Sequence, residues 1–158
     1  MFRPMRRIKQ QLSQEECTSI LKNEVRGVLS VLGDNGYPYG MPINFYYSEV
    51  ENKIYFHGAR EGHKIDSIKN CDKVSFCIYG KGFEIEGKRG LNYKSVIVFG
   101  RIKILEDREK TLDICRKLSK QFDFSDDYIE EEIKKFAKFA TVLELTPEHI
   151  TGKLVNES

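Results

Sequence analysis

Short apolar runs separated by glycine-containing turns cover the first half of the chain. An apolar run at 28–32 is followed by Asp34-Asn35-Gly36 and then by a second extended run through Tyr47. An Asn-Gly pair between two such runs is the signal of a tight β-hairpin. Pro38 and Pro42 lie in the second run. Because proline cannot donate a hydrogen bond to a sheet ladder, they predict an edge strand or a bulge there.

Four more strands are predicted from the remaining apolar runs. They are IYFHG at 54–58, VSFCIY at 74–79, SVIVFGRIKIL at 95–105 and TVLEL at 141–145. The run at 95–105 alternates on both sides of Gly100, which predicts a bend at that glycine. The alternating residues are Val96, Val98, Ile102 and Ile104.

Helical patterns precede, interrupt and follow these strands. Ser13 and Glu16 have the spacing of a capping box and predict a helix to about Asn23. A short helix is predicted within 62–70, with Ile65 and Ile68 on one face. Two longer helices are predicted at 107–122 and 125–140. Their apolar stripes are Leu112, Cys115, Leu118 and Phe122 in the first, and Ile129, Ile133, Phe136 and Ala140 in the second.

Together these elements predict a mainly β fold with flanking helices. Five strands with short connections, a helical pair and a closing strand favour a small antiparallel barrel, because only closure hides so many strand edges. No linker or repeat divides the chain, which predicts one domain at 1–158. Within it we expect an N-terminal arm and helix at 1–24 and a barrel with helices at 25–154.

Composition narrows the class of protein. A chain of 158 residues with 40% hydrophobic content is long enough to bury a core without metal or disulfide. The net charge of +2 argues against a nucleic-acid-binding protein, and the basic segment FRPMRRIK at 2–9 is expected to be a solvated arm. The apolar runs are too short for a membrane span. Four scattered cysteines without a CxxC pair or signal peptide predict reduced thiols in a cytoplasmic protein.

Two of the three histidines lie in IYFHGAREGHKIDSIK at 54–69. Gly62-His63-Lys64 begins the predicted short helix, where free amides, the positive dipole end and a lysine favour an anion such as phosphate. The alternative is an ordinary helix start with a solvated lysine. His57 ends a strand beside Gly58, where missing side-chain bulk admits a flat ligand. The alternative for His57 is a half-buried histidine packed at a barrel rim.

The sequence lacks the motifs of a zinc site, a nucleotide-binding loop and a hydrolytic triad. Five residues separate His57 from His63 and five separate Cys71 from Cys77, whereas closed zinc sites use short pairs. The segment GKGFEIEG lies between two strands and lacks the helix that a Rossmann or Walker loop feeds. No Ser-His-Asp arrangement is evident, so neither a metal site nor a hydrolytic triad is predicted.

Several stretches together resemble the pyridoxamine 5'-phosphate oxidase-related FMN-binding split barrels. Within them the chain is most similar to the 5-nitroimidazole reductase (Nim) resistance proteins. The stretches are FRPMRR, GDNGYPYGMPIN, IYFHGAREGHKID, YKSVIVFGRIKILED and EHITGK, in this order along almost the whole chain. Each is weakly specific alone, but their order and spacing together are specific.

This resemblance implies a six-stranded antiparallel split β-barrel that forms a homodimer, with one FMN in each of two clefts between subunits. It implies that the isoalloxazine lies along Pro42, Ile43 and Asn44 and is bordered by His57, Gly58 and Ala59. It also implies that His63 and Lys64 hold the FMN phosphate. Tyr93, Ser95 and Val96 match the segment by which the partner subunit closes the cleft.

Two departures from the family pattern bear on activity. The oxidases have Ser-Arg-Lys where this chain has Gly62-His63-Lys64, and histidine is a weaker, pH-dependent substitute for arginine, so vitamin oxidase activity is not expected. The segment GKGFEIEGKRGLNYK at 80–94 matches no substrate-recognition motif and is either a lid or a solvated loop.

The expected function is therefore an FMN-dependent oxidoreductase that passes hydride equivalents to a small electron-poor acceptor such as a nitroaromatic. NAD(P)H or another reductant would be the donor, and His57 would orient or protonate the acceptor. No nucleic-acid or membrane partner is expected. The alternative is a non-catalytic carrier or sensor that binds flavin, a deazaflavin or haem. For haem, His57, His63 or His149 could supply the axial ligand.

Overall fold

The computed structural model describes residues 1–156 and shows one antiparallel sheet closed into a barrel, with strand order β1-β2-β3-β6-β5-β4. The strands are β1 (Arg26–Leu32), β2 (Pro38–Ser48), β3 (Lys53–Gly58), β4 (Lys73–Tyr79), β5 (Asn92–Ile104) and β6 (Thr141–Asn156). The helices described are α1 (Gln14–Asn23), α2 (His63–Asn70), α3 (Arg108–Lys120) and α4 (Asp126–Phe136), with 3-10 turns at Ile8–Gln10 and Asp34–Gly36. The predicted fold class is confirmed.

Local sequence signals account for the first elements. Ser13 Oγ accepts from the Glu16 amide at 3.1 Å, and the Glu16 carboxylate accepts from the Ser13 amide at 3.0 Å, so the capping box forms. Asn35 and Gly36 both have positive φ, 57° and 77°, as the tight β1–β2 hairpin requires. These groups satisfy the backbone within a few residues and therefore need little tertiary support.

The barrel interior is filled by the inward-facing half of each strand. Leu29, Phe45, Phe56 and Phe76 are fully buried, and the Phe76 ring meets the edges of both other phenylalanines at centroid distances of 5.0 and 4.9 Å. A second, smaller cluster packs α3 on the outside of the barrel around Tyr55, Ile114 and Val142. No helix within residues 1–156 combines the length and the apolarity that a membrane crossing needs.

Strands β5 and β6 are longer than predicted. The sixth strand was expected to end at Leu145, but it continues to Asn156 because β5 supplies a pairing partner along its whole length, with a register shift beside Gly100. The predicted bend at Gly100 coincides with a β-bulge on β6, where Glu148 is the extra residue between Pro147, opposite Gly100, and His149, opposite Phe99. The predicted domain ends at residue 158, and its last two residues lie outside the described residues.

The two long helices are shorter than their apolar patterns. Asp107 caps α3 through the Lys110 amide and Ser125 caps α4 through the Tyr128 amide, so both helices begin one residue after the predicted start. Helix α4 ends at Phe136, and a hydrogen-bonded turn, in which the Ala140 amide donates to the Phe136 carbonyl at 2.9 Å, continues to Ala140. Phe136 is more than half exposed because α4 packs on α3, yet it shares the predicted face with Ile133 and Ala140, since all three line one cavity beside the barrel.

The N-terminal arm is only partly solvated. Its basic side chains are exposed, as expected, but the Phe2 ring stacks on His149 at a centroid distance of 4.6 Å and on Phe99 at 5.7 Å. Apolar contact with the outer face of β5 and β6 therefore anchors the start of the arm.

Candidate functional site

The barrel splits between β2 and β3. Their ladder runs from Ser48/Lys53 to Phe45/Phe56 and ends there. Residues 38–44 of β2 pair only with β1, and we call this unpaired segment the split edge. The edge strand predicted from Pro38 and Pro42 is confirmed. Backbone groups along the split edge face outward without a strand partner, which suits a ligand that borders the sheet.

Lys64 lies where β3 leads into α2, beside the split edge. Its side chain is half-buried, and within residues 1–156 it makes no ion pair and no side-chain hydrogen bond. Burial lowers the pKa of Lys64 below its ordinary value. A Cβ added to Gly58 would lie 3.2 Å from the Lys64 Nζ, so the glycine makes room for the ammonium group. This arrangement is a desolvated cation without an anion.

The first turn of α2 adds backbone donors next to that cation. Gly62 is the N-cap residue with φ +113°, a conformation that favours glycine, and no side chain caps the helix. The amide of Ile65 donates to the Gly62 carbonyl at 2.9 Å. Within the described chain, the amides of His63 and Lys64 have no hydrogen-bond acceptor. Two free amides and an ammonium group at a helix start are the groups that favour binding of an anion.

The imidazole of His63 is held by the β1–β2 hairpin. It stacks on Tyr39 with centroids 4.3 Å apart, and its Nε2 accepts from the Asp34 amide at 3.3 Å. The Asp34 carboxylate lies 3.7 Å from the same nitrogen. The His63 side chain is thus engaged with the hairpin, and its contact with a phosphate stays a prediction.

His57 lies at the end of β3, where its backbone pairs with Val142 of β6. Its ring is exposed by area but sits in a concave wall, so protein atoms displace part of its hydration. Burial first, and the charge of Lys64 second, lower the pKa of His57 below its ordinary value. At neutral pH the imidazole is therefore uncharged and has one N–H to donate.

The other residues predicted along the flavin ring lie on the same side of the barrel. Asn44 shares a cavity wall with His57, and its Oδ1 accepts from the Arg26 guanidinium at 2.8 Å. Pro42 is exposed on the split edge, whereas the Ile43 side chain packs against the barrel core. Ala59 is exposed directly after β3. The structure thus brings most of the predicted ring-binding residues to one edge.

The predicted partner-closing segment lies on another face, on β5. Tyr93 and Ser95 point outward and line a shallow cavity of about 480 Å³ together with Tyr79 and Leu91. The Val96 side chain points inward and is fully buried, so only its backbone can contact a ligand. Loop residues Gly80 and Gly82 form one wall of this cavity.

Sequence reasoning missed one part of the site. A cavity of about 290 Å³ opens beside Asn44 and His57 and is otherwise lined by residues of α3, α4 and their connections. Several of these residues belong to the stripes predicted to be core, among them Leu112, Phe122 and Phe136. The helical period locates such a stripe but does not show whether it meets protein or an open cavity.

A family model described as pyridoxamine 5'-phosphate oxidase matches residues 13–154. The chain belongs to the pyridoxamine 5'-phosphate oxidase family. The match extends from the capping serine of α1 almost to the end of β6, so it includes the split edge and the first turn of α2. A search of curated proteins gave no significant match.

Solved structures share this fold at low sequence identity. A candidate 5-nitroimidazole antibiotic resistance protein from Bacteroides thetaiotaomicron is 21% identical, with a TM-score of 0.72 over 91% of this chain and 86% of that one. An FAD-binding protein from Mesorhizobium loti is 21% identical, with a TM-score of 0.66 over 93% and 98%. An FAD- and haem-binding protein from Mycobacterium smegmatis is 16% identical, with a TM-score of 0.69 over 94% and 74%. The TM-scores show that these proteins share the fold. Identities this low carry no conclusion about the activity.

Proposed function

We propose that this protein is a flavin-dependent oxidoreductase that binds FMN at the split edge and reduces a small electron-poor acceptor, for example a nitroaromatic compound. The observation that carries the proposal is the half-buried Lys64, which has no ion pair or side-chain hydrogen bond within residues 1–156 and lies beside two free amides at the start of α2. A buried charge without a partner is costly unless a ligand supplies the opposite charge.

The residues present fit a flat cofactor with a phosphate. Lys64 and the amides of His63 and Lys64 would hold the phosphate, as the anion site requires. His57, Gly58 and the split edge would border the flavin ring, because a glycine and an unpaired strand leave the backbone accessible. Flavin bound there would supply the two-electron redox chemistry, with a donor such as NAD(P)H as the source of the hydride equivalents.

His57 is the proposed catalytic residue of the chain. Its ring lies in the cavity wall beside Asn44, and its lowered pKa keeps it neutral at pH 7. A neutral imidazole N–H can hydrogen-bond an acceptor oxygen on which negative charge develops during reduction. Placing a donor where that charge forms stabilises the transition state more than the ground state.

We further propose a homodimer in which Tyr93 and Ser95 of one chain complete the cleft of the other. The outer face of β4 and β5 exposes several large apolar side chains. Tyr79 is 62% exposed, and Ile97 and Phe99 are each 40% exposed. A contiguous apolar patch of this kind favours a protein partner, and a second copy would bring Tyr93 and Ser95 against its neighbour's split edge.

A flavin or haem carrier is the second candidate, supported by the similar fold of the FAD- and haem-binding protein from Mycobacterium smegmatis. Haem would need an axial ligand, which one of the three histidines could supply. His149 is stacked against Phe2, and the His63 ring is held by Asp34 and Tyr39, which favours His57 for that role.

The absorption spectrum of the purified, reconstituted protein separates the two functions. Two flavin bands, together with loss of flavin absorbance on reduction and its return on addition of a nitroaromatic, are expected for the oxidoreductase. A Soret band in place of flavin bands would reject it and support the carrier.

A further inference from the structure

The cavity of about 290 Å³ between α3, α4 and the barrel has a mostly apolar lining. Asn44 and His57 form its barrel wall, and Leu112, Phe122, Ile133 and Phe136 are among the side chains on its helical walls. Among the residues that the structure describes, Glu132 is the only acidic residue in the lining, and no lysine or arginine contributes to it. The cavity is therefore apolar over most of its surface, with Asn44 and His57 as hydrogen-bonding groups at the barrel end and Ser119 and Glu132 on the helical walls.

Helix α4 leaves aromatic surface open to this cavity. Ile129 is the one residue of α4 that is buried, and the helix is held on α3 by the Arg116–Glu130 ion pair, with Nε and Oε1 2.6 Å apart. Phe136 lines the cavity and is nevertheless 55% exposed. An apolar ring that faces a cavity and is not packed against protein is available to an apolar ligand.

We propose that this cavity is the acceptor site and that it selects neutral, planar, one- or two-ring aromatic compounds. The inference rests on the proposed function for the redox step but not for the binding itself. At about 290 Å³ the cavity lies at the small end of ligand pockets, so a single or fused ring fits and a nicotinamide dinucleotide does not. The donor must therefore dock elsewhere over the cleft.

The residues that line the cavity favour a ligand that is both aromatic and neutral. Phe122 and Phe136 offer ring faces and edges to a planar ligand. A carboxylate on the ligand would find no lysine or arginine in the described lining and would lie in the same cavity as Glu132, so burying it would be unfavourable. The His57 N–H at the barrel end would meet the polar substituent, such as a nitro group.

Nitrobenzene and 4-nitrobenzoate are the probes, titrated by calorimetry into flavin-loaded and flavin-free protein. Nitrobenzene is expected to bind at least tenfold more tightly than 4-nitrobenzoate. Phe136→Ala should weaken nitrobenzene binding roughly fivefold, as expected for losing one aromatic contact. Phe139→Ala is the matched control, because Phe139 is 69% exposed on the same segment and does not line the cavity, and its binding should equal wild type.

Ala137→Trp tests the cavity from the opposite direction. Ala137 lines the cavity, and an indole there should fill it and weaken nitrobenzene binding tenfold or more. If Ala137→Trp fails to fold, as judged by circular dichroism, Phe136→Ala still decides the question because its side chain is largely exposed. Equal effects of Phe136→Ala and Phe139→Ala, or equal binding of the two probes, would overturn the proposal.

Two further outcomes distinguish failure of the acceptor site from failure of the proposed flavin-dependent function. If the protein binds no flavin, the proposed function fails, yet nitrobenzene binding to flavin-free protein that responds to Phe136→Ala still supports the cavity. If flavin binds but nitrobenzene does not, the acceptor site is wrong while the flavin assignment stands. A change of oligomeric state in Phe136→Ala, measured by sedimentation velocity, would mean that a second copy covers the cavity, which would also overturn the acceptor site.

Discussion

Lys64 carries its charge in a half-buried position, and within residues 1–156 it has no acidic partner. Lys64→Ala is expected to weaken FMN binding tenfold or more, because a charge-assisted hydrogen bond to phosphate contributes about 1.5–3 kcal/mol. The thermal unfolding temperature should stay the same or rise, since removing an unpaired desolvated charge removes a cost. Flavin fluorescence titration measures the first effect and calorimetry the second.

The control for Lys64 is Lys69→Ala, at the exposed last turn of the same helix, which should keep wild-type flavin affinity. A second readout needs no flavin at all. Because the Lys64 charge lowers the pKa of His57, Lys64→Ala should raise that pKa, as followed by NMR of the imidazole. Unchanged flavin affinity in Lys64→Ala would refute the phosphate site, whatever the pKa of His57.

His57 is exposed by area, so its replacement should affect chemistry more than folding. His57→Ala is expected to slow reoxidation of reduced flavin by a nitroaromatic about a hundredfold, the scale for losing a positioned donor. His57→Gln keeps an N–H and should recover part of that loss. Stopped-flow absorbance at matched flavin occupancy measures both variants. Equal rates in wild type and His57→Ala would remove His57 from the mechanism and leave it a rim histidine.

At the scale of the elements, the β5–β6 pair forms the longest ladder of the barrel and contains the bulge beside Gly100. A Cβ on Gly100 would overlap the Thr146 carbonyl oxygen and lie 2.9 Å from the Leu145 side chain. Gly100→Ala should therefore destabilise the fold by about 2–3 kcal/mol, because the clash is with backbone that cannot move aside. Urea denaturation measures the change in the free energy of unfolding.

Gly40→Ala is the matched strand control for that substitution. A Cβ on Gly40 would lie 3.2 Å from the Ser30 Oγ, which can rotate away, so the free energy of unfolding should change by less than about 0.5 kcal/mol. If both variants have the same stability, the bulge tolerates a side chain and the ladder is not constrained at this point.

At the scale of the whole molecule, the split edge and the Tyr93 face lie apart on the barrel, so the proposed flavin site would need a second copy to bring them together. Tyr79→Asp is expected to separate the proposed dimer and to weaken FMN binding at least tenfold, since it places a charge in the apolar outer face of β4 and β5. Val50→Asp, at an exposed turn, should do neither. Sedimentation velocity and flavin titration test the pair, and a wild-type monomer with tight FMN would contradict the dimer.

The sequence by itself determined the parts of the fold that depend on neighbours along the chain. The structure contains the predicted capping box of Ser13 and Glu16 and the predicted turn at Asn35-Gly36. The segment with Pro38 and Pro42 is an edge, as predicted. The capping box and the turn form backbone hydrogen bonds within a few residues, and the prolines lack the N–H that a neighbouring strand would need. The local sequence was therefore sufficient to predict these features. Strand alternation likewise predicted the buried face of β5, where Val96, Val98 and Ile102 are buried.

The tertiary structure decided what depends on residues distant in the sequence. Strand β6 extends to Asn156 because that segment pairs with β5. The His63 ring lies against Tyr39, a contact that the local sequence did not predict. The tertiary structure also left Phe136 beside a cavity, although its periodicity matches a core stripe. A helical or strand period shows which side chains share a face, but the element packed opposite determines whether that face is core, cavity or surface.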